Sequence, residues 1–430
     1  MKNFYNVLGN TLIANVTTSF LWFALTFWIY LETRSVTATA IVGGSYMLLT
    51  AVLGVPFGTI VDHYKKKKVM VVATAFTLIM YLAASLVFVS YPKAYLLDFG
   101  GPIFWLFIGT ILLGAIVENI RNITLSTCVT LLVPKDRRDK ANGLVGAVTG
   151  LAFSVTSIFS GLAIGQLGMG WTILIAVILT AVAVAHLYFI DIPEDRTLHD
   201  PELTKKVDFR GSIAAIMVVP GLMGLIFFTT FNNLIGGVFM ALLDAYGLNL
   251  VSVEVWGVLS GVLSLGFIVG GIVIARKGLG SKPLRLLLLA NIAMWIIGMT
   301  FTIRESIVLL AVGMFIYLCL IPVVEAVEQT ILQRVVPFAK QGRVFGFAQS
   351  IEALAMPITA FIIGPIAEFI VIPYVKTEAG AAQFGWLLGA GEARGIALVF
   401  IIASIIGLVL TILAFMSRSY RLLSQYYTKA

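Results

Sequence analysis

Apolar residues run almost unbroken through twelve stretches, near 9–31, 39–61, 69–90, 103–131, 141–166, 170–190, 212–242, 254–275, 284–303, 306–333, 344–371 and 395–416, each closed by a short polar or charged segment. A helix crosses the hydrocarbon core with about 20 apolar residues, so the pattern predicts twelve membrane-spanning helices joined by short loops. The seventh stretch is overlong and carries Asn232, Asn233, Gly236 and Gly237, a row of weak helix formers at which a break or bend is expected. The first stretch is longer than a signal-peptide core and lacks a small-residue cleavage pattern after it. It reads as a retained helix.

Composition agrees with that pattern. Of 430 residues, 60% are hydrophobic and only 12% charged, and mean hydropathy is +1.01. A soluble domain carries about a quarter charged residues, so most of this surface need not face water. Disorder needs the opposite balance, and a disulfide scaffold needs more than Cys128 and Cys319, which lie in apolar runs as buried thiols. The net charge of +8 is explained by position. Counting loops from the N-terminus, 23 of the 29 Lys and Arg fall on one side, including Lys65 to Lys68, the KDRRDK run at 135–140 and the tail residues Arg418, Arg421 and Lys429. The positive-inside bias places that side, and both termini, in the cytoplasm of a cell inner membrane. The basic surface then faces anionic lipid, with no nucleic acid required.

The spans divide six and six about a polar segment. This predicts an N-terminal bundle over 1–190, a cytoplasmic linker over 191–211 and a C-terminal bundle over 212–430. Val133-Pro134, Lys140 and Gly143 after the fourth span recur as Val336-Pro337, Arg343 and Gly346 after the tenth, each 203 residues on. Gly58-x-x-x-Asp62-His63 after the second span recurs as Gly271-x-x-x-Ala275-Arg276 after the eighth, keeping the glycine and a basic residue but not the acid. Matching loops in corresponding places indicate an all-α membrane fold of two six-helix bundles in pseudo-twofold repeat, with a midplane cavity of the kind transporters use.

The stretch Gly58-Thr-Ile-Val-Asp62-His63-Tyr64-Lys65-Lys66-Lys67-Lys68 resembles the G-x-x-x-D-[RK]-x-G-x-[RK]-[RK] signature of the major facilitator superfamily, with His63 and Lys65 departing from it. Gln333-Arg334 to Pro337, Gln341-Gly342-Arg343 and Ala393-Arg394-Gly395 resemble the macrolide-exporter branch of its drug:proton antiporters. Physically, Gly58 permits close helix approach, and Asp62 at the membrane edge can accept hydrogen bonds from free N–H groups at another helix start. The resemblance implies that the partner is the start of the eleventh span near Arg343, with Arg137 alongside, as a latch on the cytoplasmic side to which Lys66 and Lys67 contribute. The bland alternative makes Lys65 to Lys68 an orientation signal only.

Glu118 and Arg121 fall mid-span, where an ionised residue costs about 2.5 to 3.5 kcal/mol even on insertion scales, so they must face protein or a watery cavity. Spaced i, i+3 they can pair. They are either a self-neutralising structural pair or, as the family's arginine on the fourth span implies, part of proton handling. Glu325 and Glu328 lie one turn apart in the tenth span with no basic residue in that turn, and Glu352 on the eleventh span joins them on the same reading. Two acids close together in a medium of low dielectric cannot both ionise cheaply, as a proton carrier requires. Asn15, Trp22 and Phe23 on the first span, with Phe231 and Asn232 on the seventh, are candidate cavity residues. Aromatic walls with sparse polar groups suit amphipathic organic molecules, while each aromatic could equally be packing.

There is no G-x-x-x-x-G-K-[ST] loop, no G-x-S-x-G and no metal-ligand spacing. The sequence therefore predicts a monomeric, non-enzymatic carrier with no catalytic residues and no cofactor, taking protons, membrane lipids and a small amphipathic organic substrate as partners. Export of drugs by proton antiport is the leading reading. A lipid, lysolipid or siderophore exporter and a non-transporting receptor are the alternatives.

Overall fold

The computed structural model describes residues 2–33, 36–194, 209–388 and 393–429. Among these, eighteen α-helices follow in order: α1 (Lys2–Thr33), α2 (Val36–His63), α3 (Lys66–Ser90), α4 (Lys93–Leu97), α5 (Pro102–Glu118), α6 (Ile120–Leu132), α7 (Arg138–Leu162), α8 (Gly168–Phe189), α9 (Phe209–Met217), α10 (Leu222–Leu248), α11 (Val253–Lys277), α12 (Pro283–Thr300), α13 (Ile307–Val335), α14 (Gln341–Ile366), α15 (Ile372–Lys376), α16 (Glu378–Leu388), α17 (Arg394–Met416) and α18 (Arg418–Lys429). No strand occurs among the described residues. Eleven helical segments of the described residues are long and apolar enough to cross a membrane. The remaining expected span is helical as well, α7 running through a π-turn at Ala163–Leu167 into α8. Of the expected linker, residues 195–208, with Lys205 and Lys206, lie outside the described residues.

Side-chain exposure has the sense of a membrane protein. Val89 is 84% and Phe361 77% exposed, while Asn10, Arg121 and Thr124 are fully buried. Apolar residues cover the outside because lipid is the solvent there, and polar residues find partners inside.

The predicted bend in the seventh span is misplaced. The chain breaks at Pro220-Gly221, between α9 and α10, where Gly221 takes φ +83. Pro220 has no N–H to continue a helix, and Gly221 adopts the left-handed backbone without a Cβ penalty. Asn232, Asn233, Gly236 and Gly237 lie within unbroken α10, where Gly237 packs on Met356 and Thr359. Packing there outweighs the weak local preference. The fourth span is interrupted instead, at Asn119 between α5 and α6.

Contacts resolve two compact units. Unit 1 comprises Met1–Arg138, Leu151–Ile213 and Val336–Ser350; unit 2 comprises Asp139–Gly150, Ala214–Val335 and Ile351–Ala430. Unit 1 buries an aromatic group in which Trp28 meets Phe107 edge-on at 5.7 Å. Unit 2 is centred on Phe239 stacked on Phe400 at 4.7 Å, with Trp295, Phe301 and Tyr246 around them. The first turns of α14 are built into unit 1, and those of α7 into unit 2.

Candidate functional site

Two polar groups stand out in unit 1. At the end of α2, Asp62 is 2% exposed. Its Oδ1 accepts the Gly342 N–H at 2.5 Å, and its Oδ2 accepts the Arg343 N–H at 3.0 Å and Arg343 Nε at 3.1 Å. The first N–H groups of a helix have no partner of their own, so the start of α14 offers Asp62 both donors and the positive end of a helix dipole. Approach this close needs glycine on both sides. A Cβ on Gly58 would stand 2.8 Å from the Gly342 carbonyl carbon, and one on Gly346 would stand 3.0 Å from the Gly58 Cα.

The neighbouring lysines serve other partners. Lys66 is buried, donating from its backbone N to Glu194 Oε2 at 2.7 Å and from Nζ to Glu194 Oε1 at 3.0 Å, with Nζ 4.9 Å above the Phe338 ring. Lys67 Nζ donates to the Tyr188 carbonyl at 3.0 Å. Arg137 is exposed and lies 3.9 Å from Asp136. Glu194 carries little mark in the sequence beyond being an acid soon after the sixth span.

Deeper in unit 1, Glu118 ends α5 and Arg121 lies in the first turn of α6. Arg121 Nε donates to Glu118 Oε1 at 2.7 Å, Nη1 to Asn10 Oδ1 at 2.7 Å, and Nη2 to Thr74 Oγ1. Thr74 donates to Glu118 Oε1 at 2.9 Å and Thr77 to Oε2 at 3.0 Å. Asn10 is held in turn by the Ala183 carbonyl at 2.8 Å. Both carboxylate oxygens and all three guanidinium nitrogens are thereby engaged, which is how a buried ion pair offsets its desolvation.

In unit 2 the acids have a different setting. Glu328 on α13 is 8% exposed, Glu352 on α14 is half-buried and Glu325 is exposed. Thr229 of α10 lies between two of them, its Oγ1 2.7 Å from Glu352 Oε1 and 3.2 Å from Glu328 Oε1. Among the described residues, no ion pair neutralises any of the three. Thr229 is a threonine in an apolar run, which carries no mark of its partners in the sequence.

Of the cavity candidates, Asn15 donates to Asn122 Oδ1 at 3.2 Å, Trp22 stacks on Tyr46 at 4.6 Å, and Phe23 meets Phe153 edge-on at 6.3 Å, all in unit 1. Phe231, 52% exposed, and half-buried Asn232 belong to unit 2. No cluster of three or more metal-binding side chains occurs among the described residues.

Helical spans with apolar outward side chains and buried charge, among the described residues, define a multi-pass membrane protein. The chain belongs to the Major Facilitator Superfamily, whose profile matches residues 7–360. It is 22% identical to macrolide efflux protein A of Streptococcus pyogenes over 371 residues, 83% of this chain and 87% of that protein. Its fold is similar to that of a bacterial homologue of the iron transporter ferroportin in the outward-facing state, with TM-score 0.69 and 14% identity over 97% of this chain and 100% of the other. The proton:xylose symporter XylE gives TM-score 0.66 and 12% identity over 96% of each chain.

Proposed function

We propose that this transporter exports amphipathic organic compounds of macrolide type across the cytoplasmic membrane in exchange for protons, by alternating access, as a monomeric carrier with no cofactor and no enzymatic step. The observation that carries the coupling is the Thr229 hydroxyl between Glu328 and Glu352. A hydroxyl has one proton to donate. The Ile226 carbonyl and two carboxyl oxygens lie in hydrogen-bond range of it, so a proton carried by either carboxyl group supplies a donor that the hydroxyl alone does not, and this arrangement can take up a proton and give it up when the geometry changes. Exposed Glu325, one turn away, is the exchange point with water.

Glu118 and Arg121 are less suited to release, because each already neutralises the other and their remaining positions are filled. They serve coupling as a fixed charge pair that holds α1, α3 and α6 together. The substrate class rests on the macrolide-exporting relative and on the aromatic residues Trp22, Phe23 and Phe231. Asn15 and Asn232 supply the sparse polar groups such a molecule needs.

The fuel suffices. One proton moving down about 100 mV and about one pH unit releases about 3.7 kcal/mol, enough for about a 500-fold gradient at one-to-one exchange. The test is erythromycin transport by purified protein in liposomes under an imposed pH gradient. Glu328→Gln and Glu352→Gln are expected to reduce gradient-driven transport by about tenfold or more, the loss of about 1.4 kcal/mol of coupling, while gradient-free exchange of labelled for unlabelled erythromycin persists. Full gradient-driven transport in both variants removes these acids from the mechanism. Absence of any transport by the wild-type chain across a panel of amphipathic compounds removes the export reading itself.

A further inference from the structure

Where Asp62 stands in the first half, the residue 213 positions on is Ala275, and an acidic latch is missing from that helix. Unit 2 nonetheless contains a crossing of the same kind, between α11 and the first half of α7. A Cβ on Gly271 would lie 2.6 Å from Ala147 Cα, one on Gly143 would lie 2.6 Å from the Ala275 N, and one on Gly150 would run into Phe267. The 203-residue repeat makes Gly143 the counterpart of Gly346, and Asp139 the counterpart of Gly342.

The two crossings differ in register. Gly346 lies against Gly54 and Gly58, whereas Gly143 lies against Ile274 and Ala275, which correspond to Val61 and Asp62. The second crossing is therefore displaced by about five residues, more than one helical turn. That displacement carries Asp139 past the end of α11. There its Oδ2 accepts the Leu279 N–H at 2.9 Å, and its Oδ1 accepts the Lys140 N–H at 2.7 Å. Gly278, at φ +73, leaves α11 in a left-handed turn, and a side chain on it would run into the Asp139 carboxylate.

We propose that Asp139 is a positioning residue of the transport cycle, the counterpart of Asp62 with acid and donor exchanged between the crossing helices, clasping the start of α7 to the Gly278-Leu279 turn. The proposal rests on the transport reading above. The two clasps differ in strength. Asp62 holds three donors, one of them a guanidinium, at the positive end of a helix. Asp139 holds one donor across the crossing, at the C-terminal end of α11, where the helix dipole opposes an acid and Arg276 and Lys277 in the last turn offset it. The Asp139 clasp is the one that yields first.

The experiment uses the full chain in inverted membrane vesicles, with Cys128 and Cys319 replaced by alanine and Leu279→Cys as reporter, since Leu279 is only 4% exposed. Asp139→Ala should speed labelling of that cysteine by a membrane-impermeant maleimide roughly tenfold, the equivalent of one hydrogen bond to a charged group. Gly278→Ala should act in the same direction by strain, Asp139→Asn should fall between, and exposed Asp136→Ala should change nothing. In the same vesicles Asp139→Asn should alter the maximal rate of erythromycin transport at unchanged half-saturation. Unchanged labelling in both Asp139→Ala and Gly278→Ala overturns the clasp. Faster labelling with an unchanged transport rate overturns its role in the cycle. The labelling needs no substrate, so a wild-type chain that moves no erythromycin defeats the transport reading while the clasp is still decided.

Discussion

Glu118 and Arg121 show how far single residues can be read. Their i, i+3 spacing announced an ion pair because both partners lie on one turn of sequence. The rest of the network comes from Asn10, Thr74 and Thr77, more than 35 positions away, and no local pattern names them. Threonines of apolar helices ordinarily bond their own backbone, as Thr74 also does to Met70 at 3.0 Å, so these side chains look unremarkable until tertiary contacts are known. The network has a measurable consequence. Arg121→Met leaves the Glu118 carboxylate buried and unpaired, which costs about 3 to 5 kcal/mol, whereas Arg121→Met with Glu118→Gln removes both charges and should recover most of that loss. Thermal unfolding of the two variants in detergent checks this, and equal destabilisation would show that the packing of these side chains matters more than their charges.

At the scale of helices, their existence was legible and their interruptions were not. Twelve apolar runs mark twelve helices because bilayer thickness fixes a length that composition must satisfy. Breaks obey finer rules. Pro220-Gly221 ends a helix through a missing N–H and a left-handed residue, while Gly237, equally suspect by propensity, is accommodated where α10 packs against α14. Gly58 is legible in the sequence as a close approach, and the helix it approaches is implied by family resemblance rather than by spacing. Gly58→Val should push α2 away from the start of α14, lengthen all three Asp62 hydrogen bonds and lower stability by about 1 to 3 kcal/mol through overpacking. Asp62→Asn, which keeps the shape and loses the charge, should instead leave the helices in contact with weaker bonds. Maleimide labelling of a cysteine at Val344, fully buried in the first turn of α14, separates the two cases: it should speed up in Gly58→Val and stay slow in Asp62→Asn.

For the whole molecule, the division at the central linker and the units found by contact are different quantities. A sequence divides where polar residues accumulate, whereas contacts assign the first turns of α7 and α14 by what those turns touch. Orientation belongs to this scale as well, since it depends on the sum of charges rather than on any one site. Of 29 Lys and Arg, 23 fall in loops on one side of the predicted spans and five on the other. Translocating an arginine or lysine is disfavoured, so the charge bias predicts that the side with 23 stays in the cytoplasm and carries both termini. Such a bias is redundant, and removing one cluster should not reverse it. Replacing Lys65 to Lys68 by glutamine deletes four charges and leaves 19 against five, so a reporter enzyme fused after Lys429 that is active only outside the membrane should stay inactive. The same reporter fused at Lys93, between α3 and α5, should be active. Activity at the C-terminus of the unaltered chain would invert the topology and place the Asp62 and Asp139 clasps on the outer face, where they would govern release instead of uptake.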